Sequence, residues 1–128
     1  MMSRAACLAV LAALAASPAA AQDTPELRGA RFAMQGGEAV YRGICQACHM
    51  ADAKGATGAG SYPALANNAK LASAGYVVTM VMNGHKGMPW FRDQFTDQQV
   101  ADVVNFVRTS FGNRFKGAVT PADVKALR

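Results

Sequence analysis

The chain has 128 residues, 52% of them hydrophobic and 16% charged, and its thirteen basic and eight acidic residues give a formal charge of +5. That length bounds the chain to one small domain, and three cysteines are too few for a disulfide scaffold. The basic residues are scattered, with no Lys/Arg run and no aromatic-interleaved basic stretch, which excludes the usual nucleic-acid footprints and leaves an acidic protein surface as the favoured partner. No Ser/His/Asp set and no paired carboxylates stand out, so the sequence offers no hydrolytic machinery.

Residues 1–21 read as a cleaved signal peptide. Arg4 is the sole charge before Asp23, Ala5 to Ala16 is an apolar run, Pro18 breaks it, and Ala19-Ala20-Ala21 supplies small residues for cleavage ahead of Gln22. The run falls short of the roughly 20 residues that span a bilayer, so the mature chain is expected in the periplasm with no transmembrane anchor. Cys7 would leave with the peptide. The remainder keeps twelve basic and eight acidic residues, a formal +4. Residues 22–35 follow as an extended or weakly helical arm.

The chain then alternates helices and loops, with no convincing strand. Gly36-Gly37 precedes a helix predicted over 38–49, where Val40, Tyr41, Ile44 and Cys48 recur at helical spacing. Gly55, Gly58 and Gly60 mark residues 50–62 as a loop. A second helix is expected over 73–83, with Ser73 as N-cap and Gly84 as stop. The third is expected over 96–110: Thr96-x-x-Gln99 is a capping-box pattern, and Val100, Val103, Val104, Val107 and Phe111 follow on one face, with Gly112 closing the element. Thr120-Pro121 can start a last turn, with proline at the first helical position.

Cys45-Gln46-Ala47-Cys48-His49 carries the chemistry. The C-x-x-C-H spacing lets two thiols on one helical turn reach the two vinyl groups of a single porphyrin, while the adjacent imidazole turns onto the iron. Two rivals use the same residues. A thioredoxin-like dithiol needs a strand–helix–strand setting that is missing before Cys45. A zinc site from Cys45, Cys48, His49 and His85 has ligands on consecutive residues and a fourth thirty-six positions away, a poor fit to zinc spacings. One covalent haem c on Cys45 and Cys48, with His49 as proximal ligand, is the expectation. For the sixth position Met88 is the candidate, thirty-nine residues after His49 in Gly84-His85-Lys86-Gly87-Met88-Pro89-Trp90, where glycine and proline keep the backbone non-helical. His85 competes from the same turn. Met80 and Met82 fall in a helix as core filler, Met50 is too close to His49 to reach the far face, and Met34 is disfavoured only by context. Trp90 is expected against the porphyrin or as a core aromatic. Lys54, Lys86 and Arg92 flank the site as steering charges or plain surface.

The helix with CQACH, the glycine-rich loop, Tyr62-Pro63-Ala64-Leu65, GMPWF and the TDQQVADVVNFVRTSFGN helix together resemble the class I mono-haem bacterial cytochromes c over residues 36–115. More narrowly, Val81–Asn113 and the Val119–Val124 tail are similar to the small cytochromes and cytochrome subunits that take electrons from bacterial dehydrogenases. The resemblance implies an all-α cytochrome c fold in which the first and last helices cross, Gly37 and Tyr41 meeting Phe106 and Val107. It also implies that the Pro63 carbonyl accepts a hydrogen bond from the proximal histidine. The function implied is one-electron transfer between a dehydrogenase donor and a cytochrome or oxidase acceptor, by a carrier and not an enzyme. A ligand-binding or gas-sensing haem protein with an open sixth site is the alternative. The chain beyond Asn113 has no counterpart in the smallest members of that family, and 116–128 is set apart as a tail.

Overall fold

A computed structural model describes residues 33–58 and 60–128; the signal-peptide segment and residues 22–32 of the arm lie outside the described residues. Helix α1 (residues 37–49) is one rod in three parts: Gly37–Val40, a π-helical stretch Tyr41–Cys45, and Gln46–His49. It begins one residue before the expected start because Gly36 is the N-cap, with φ +84. Val40 and Tyr41 are its buried positions ahead of His49.

After α1 the chain forms a hairpin that the sequence reading did not anticipate: β1 (Ala56–Thr57) pairs antiparallel with β2 (Ser61–Tyr62), Ala56 opposite Tyr62. Two-residue strands carry too little alternation to register as a pattern. A 3₁₀ turn, Ala69–Ala72, capped by Asn68, leads into α2 (Ala74–Asn83), which buries Val77, Val78 and Met82. Ser73 is the N-cap of α2, without a side-chain capping bond.

Helix α3 (Asp97–Thr109) starts with the expected capping box, Thr96 and Gln99 bonding reciprocally. Val100, Val103, Val104 and Val107 are all buried. Four β-branched residues on one face disfavour an isolated helix, so tertiary packing stabilises α3 more than its propensity does. The helix stops earlier than expected. Phe111 lies beyond it at φ +55, followed by Gly112 at φ +84. Its ring still folds back to within 4.9 Å of Tyr41 and 5.5 Å of Phe106, centroid to centroid.

The α1–α3 crossing organises the core, as the resemblance implied for Gly37, Tyr41 and Phe106. A methyl group on Gly37 would run into the Asp102 carbonyl oxygen and lie 2.5 Å from Phe106 Cβ. One turn on, Tyr41 stacks at a tilt on Phe106, centroids 5.6 Å apart. The last helix, α4 (Pro121–Ala126), has proline at its start and a capping box between Thr120 and Asp123. It packs on α3 through fully buried Val124. Asn105 ties the approach to α4 down, donating to Val119 O at 2.8 Å and accepting from Val119 N at 2.7 Å. The tail therefore lies along α3.

Arg108 locks three segments together from a buried position. Its guanidinium donates to the carbonyls of Leu71 (3.0 Å), Ala72 (3.4 Å), Lys116 (2.8 Å) and Gly117 (2.5 Å). Asn113, also buried, donates to Leu65 O and Val107 O and accepts from Asn68 N. These polar side chains satisfy backbone groups that the loops would otherwise bury unpaired.

Gly37→Ala tests the crossing. Alanine gains up to about 1 kcal/mol in helix propensity, but overpacking typically costs about 1–3 kcal/mol, so urea unfolding of the haem-loaded protein should show a net loss. Equal or greater stability would mean the helices separate freely.

Candidate haem-attachment site

The site begins at the C-terminal end of α1. Cys45 and Cys48 are unpaired, half-buried thiols, and His49 is buried one residue further on. The π-helical stretch runs up to Cys45, and the motif then rides on the regular turn Gln46–His49. Met50 ends the helix at φ +68 and ψ 160, and its carbonyl accepts the Tyr41 hydroxyl at 2.7 Å. That bond, nine residues long in sequence, ties the reversal after His49 back onto the helix.

The histidine is oriented by a carbonyl brought from the other side of the hairpin. His49 Nδ1 donates to Pro63 O at 2.9 Å. A carbonyl only accepts, so this bond fixes the proton on Nδ1 and leaves Nε2 with the free lone pair. The expectation for Pro63 holds. Three features deliver it. Buried Ala53 accepts from both Leu65 N (2.8 Å) and Ala66 N (2.9 Å), drawing the chain back after the hairpin. Gly55 N donates to His49 O at 3.2 Å. Gly55 itself sits at φ +66, where a Cβ would collide with the Tyr62 carbonyl oxygen and approach Pro63 C to 2.8 Å. Only glycine meets both demands.

Met88 sits in a narrow turn beyond α2. His85 and Met88 exchange backbone hydrogen bonds, 3.1 Å one way and 2.9 Å the other, around Lys86 at φ +53. Gly84 stops α2 at φ +66, and a Cβ there would meet the Met88 carbonyl and lie 2.8 Å from Pro89 C. Past the turn, Phe91 N donates to Val81 O and Met82 O, and Arg92 N to Met82 O. The loop is thus folded back onto the last carbonyls of α2.

The other methionines are engaged elsewhere. Met82 is fully buried in the core and Met80 is half-buried on α2. Met34 lies with its sulfur over Gly43, and its carbonyl accepts from Gln99 at 3.1 Å. Met50 follows His49 directly. His85 is exposed.

Trp90 is 61% exposed on the protein surface and is not part of the protein core. Phe91 and Phe95 close the loop onto that core, stacked at 5.0 Å and 7°. The bonds from Phe91 N to α2 turn that side chain inward, and Trp90, one residue earlier, faces out. Among the described residues Tyr62 and Tyr76 are the other large exposed aromatics, at 41% and 45%. Of the charges named from sequence, Lys54 pairs with Asp52 at 3.4 Å and Arg92 bonds Asn83 Oδ1 at 2.7 Å.

The thiol chemistry separates the rival readings. Burial, and then neighbouring Cys48, push the Cys45 thiol up to about 12. Redox dithiols and thiolate metal ligands need the opposite shift. Among the described residues, no group of three His, Cys, Asp or Glu is placed to hold a bare metal ion. Two half-buried thiols three residues apart and a buried imidazole whose Nδ1 is committed to Pro63 instead fit a porphyrin, whose iron needs a nitrogen donor.

An all-α frame carrying this attachment site defines a c-type cytochrome, a class that transfers electrons, and its cofactor is a covalent haem c. Residues 32–107 match the family model described as cytochrome c oxidase, cbb3-type, subunit III, and the chain belongs to that family. The chain is 35% identical over 105 residues to the alcohol dehydrogenase (quinone) cytochrome c subunit of Gluconacetobacter polyoxogenes, covering 72% of this chain and 22% of that protein. Identity is 39% over 106 residues with the gluconate 2-dehydrogenase cytochrome c subunit of Pantoea cypripedii, covering 73% and 24%. It is 32% over 107 residues with the fructose dehydrogenase cytochrome subunit of Gluconobacter japonicus, covering 72% and 22%. The chain therefore spans less than a quarter of the length of these relatives.

Tyr41 was named from sequence for its packing, and its hydroxyl went unnoticed. Burial first, then Cys45 and Asp52 nearby, push that hydroxyl up to about 12, against an ordinary value near 10. A raised folded-state value favours the neutral form in the native protein. Its contribution is complete below about pH 10 and is lost as pH rises toward 12. Tyr41→Phe, which loses one hydrogen bond, should be less stable by about 1 kcal/mol at pH 7. The gap should close above pH 10 in urea unfolding. A gap unchanged from pH 8 to 11.5 would remove Tyr41 from the pH response.

Proposed function

We propose that this chain is an exported one-electron carrier whose haem c, held by Cys45 and Cys48, has His49 and Met88 as its two axial ligands. The bound group supplies a one-electron iron couple, and a thioether opposite an imidazole favours the reduced state relative to two imidazoles. The chain's own residues do the rest. His49 offers Nε2 because Pro63 holds Nδ1. Met88 offers its sulfur from a turn fixed by its backbone, so no side chain need rearrange between oxidation states. The observation that carries the reading is this pairing: an imidazole locked by one loop, and a methionine in the other whose competitors are engaged in packing or exposed.

The signal-peptide pattern of residues 1–21 supports export to the periplasm with cleavage after Ala21. Among the described residues, no helix is long and apolar enough to cross a membrane. Relatives named as cytochrome subunits of alcohol, gluconate and fructose dehydrogenases support a dehydrogenase as electron donor. A cytochrome or oxidase is the proposed acceptor.

The charge distribution supports an acidic partner surface. No Asp or Glu occurs between Asp52 and Asp93, or between Asp102 and Asp123, while those stretches hold Lys54, Lys70, Lys86, Arg92, Arg108, Arg114 and Lys116. The two stretches meet where Asn67 N bonds Phe111 O and Arg108 bonds Leu71 O. These contiguous stretches contribute basic residues and no acidic ones, with Lys54 paired to Asp52 at their edge and Arg108 buried.

Visible spectra of wild type and Met88→Ala test the ligand set. Wild type should be low-spin with a sulfur-to-iron charge-transfer band and no response to carbon monoxide when reduced. Met88→Ala should lose the band and bind carbon monoxide. A wild type that binds carbon monoxide readily would point to an open sixth site, hence to ligand binding or sensing. For the charged face, oxidation of the reduced protein by anionic ferricyanide should slow on the order of tenfold as salt rises from low to physiological strength. A cationic cobalt oxidant should show the reverse trend. Rates insensitive to salt with both reagents would discard electrostatic steering.

A further inference from the structure

The segment 89–96 joins the Met88 turn to the first turn of α3, and its two sides are held differently. Toward α2 it is tied by the backbone bonds of Phe91 and Arg92. Toward solvent it is tied by a residue from the far end of the tail. The Arg128 guanidinium donates to Asp97 Oδ1 at 2.5 Å, to Phe95 O at 2.8 Å and to the Arg92 carbonyl. These acceptors lie 31 to 36 residues away in sequence. The side chain reaches them because α4 is seated on α3 by Val124, Val119 and the Asn105 bonds, with its start fixed by Thr120 and Asp123.

The chemistry suits arginine. One planar fork engages three acceptors at once, which a lysine ammonium cannot match in direction. Two of the acceptors are carbonyls of the connection itself, and the third is the carboxylate at the first residue of α3. A fork so placed bonds only while segment 92–97 keeps this shape.

We propose that the tail is a strap across the Met88 loop, with Arg128 as a positioning residue that keeps Met88 in place. The proposal rests on the reading of Met88 as the sixth ligand. Withdrawal of Met88 requires the connection behind it to shift, and that shift costs the Arg128 bonds. Arg128 therefore lowers the population of the open loop without touching the haem or the methionine. Arg128 and Asp97 keep 28% side-chain exposure each, so solvent screens their pair in part and the two carbonyl bonds matter as much as the charge.

An external ligand that enters only when the loop opens reads this population directly, because its apparent dissociation constant is the intrinsic value divided by the open fraction. The experiment is an imidazole titration of the oxidised, haem-loaded full chain, followed by the shift of the main haem absorption band, with the sulfur-to-iron band recorded alongside. Wild type, Arg128→Ala, Arg128→Lys and Met88→Ala are compared, with Arg42→Ala as a control that removes only an exposed pair with Glu38 on α1. Arg128→Ala should keep the band at neutral pH and bind imidazole about tenfold more tightly. Arg128→Lys should recover part of the difference, and Arg42→Ala should match wild type.

A thermal melt of each variant separates the strap from general stability. A lowered melting point in Arg128→Ala with wild-type imidazole affinity would reduce Arg128 to a packing role and overturn the proposal. An equal gain in affinity in Arg42→Ala would do the same. A wild type without the band, or Met88→Ala binding imidazole no more tightly than wild type, would remove the Met88 ligand and the strap with it. The band present in wild type and unchanged affinity in Arg128→Ala would remove the strap alone.

Discussion

The hydrogen bond from His49 Nδ1 to the Pro63 carbonyl is the constraint on which the site depends. A histidine at the end of a helix can rotate and can carry its proton on either nitrogen. A single acceptor at 2.9 Å removes both freedoms. Meeting that demand shapes the chain for fifteen residues. The helix must end abruptly at Met50, the hairpin must return, Ala53 must hold Leu65 and Ala66, and Gly55 must let the Tyr62–Pro63 backbone pass close by. Residue 63 also gains from being proline. It has no N–H to place, so its carbonyl can be presented without a second backbone group needing a partner.

The Met88 turn, the proposed second ligand loop, is built by the same device. Gly84 and Gly55 share φ +66, and a Cβ on either would collide with the backbone that leads to Met88 or to Pro63. The difference lies in what stands behind each loop. Pro63 is backed by the covalently anchored helix and by the buried Asn113 and Arg108 networks. Met88 is backed by a few backbone bonds to the end of α2.

Where information was local, the sequence was legible. The C-x-x-C-H spacing, the Thr96–Gln99 box, the valine stripe of α3 and Thr120-Pro121 all act within one or two turns, and each appears where expected. Features set by long-range geometry left no such trace. The π-helical stretch in α1 keeps an ordinary apolar pattern, so periodicity reads through it. Phe111 continues the helical spacing on paper, yet the chain leaves the helix at Ser110 and brings the ring back through a left-handed residue. Of the adjacent rings Trp90 and Phe91, Phe91 takes the position against the protein core because backbone bonds to α2 decide which one turns in. Arg108, Asn113 and Arg128 were opaque for another reason. Their partners are main-chain carbonyls tens of residues away, and a carbonyl has no sequence signature.

An electron carrier gains from this division of labour. Transfer is fast when the ligands move little between oxidation states, which argues for rigid supports on both sides of the iron. The proximal support is rigid because three independent features hold it: α1, the hairpin and the Pro63 bond. A support for the proposed Met88 ligand cannot be built the same way, since that methionine would come from a loop remote in sequence from the two cysteines. Its rigidity has to come from outside the loop. The Phe91–Phe95 stack and the α2 carbonyls supply it from within the core. From the surface the tail reaches the same connection through Arg128, beside the exposed Arg92–Asn83 bond. That gives the residues after Asn113 a physical role that packing along α3 alone would not require: through Arg128 they brace the connection that joins the Met88 turn to α3.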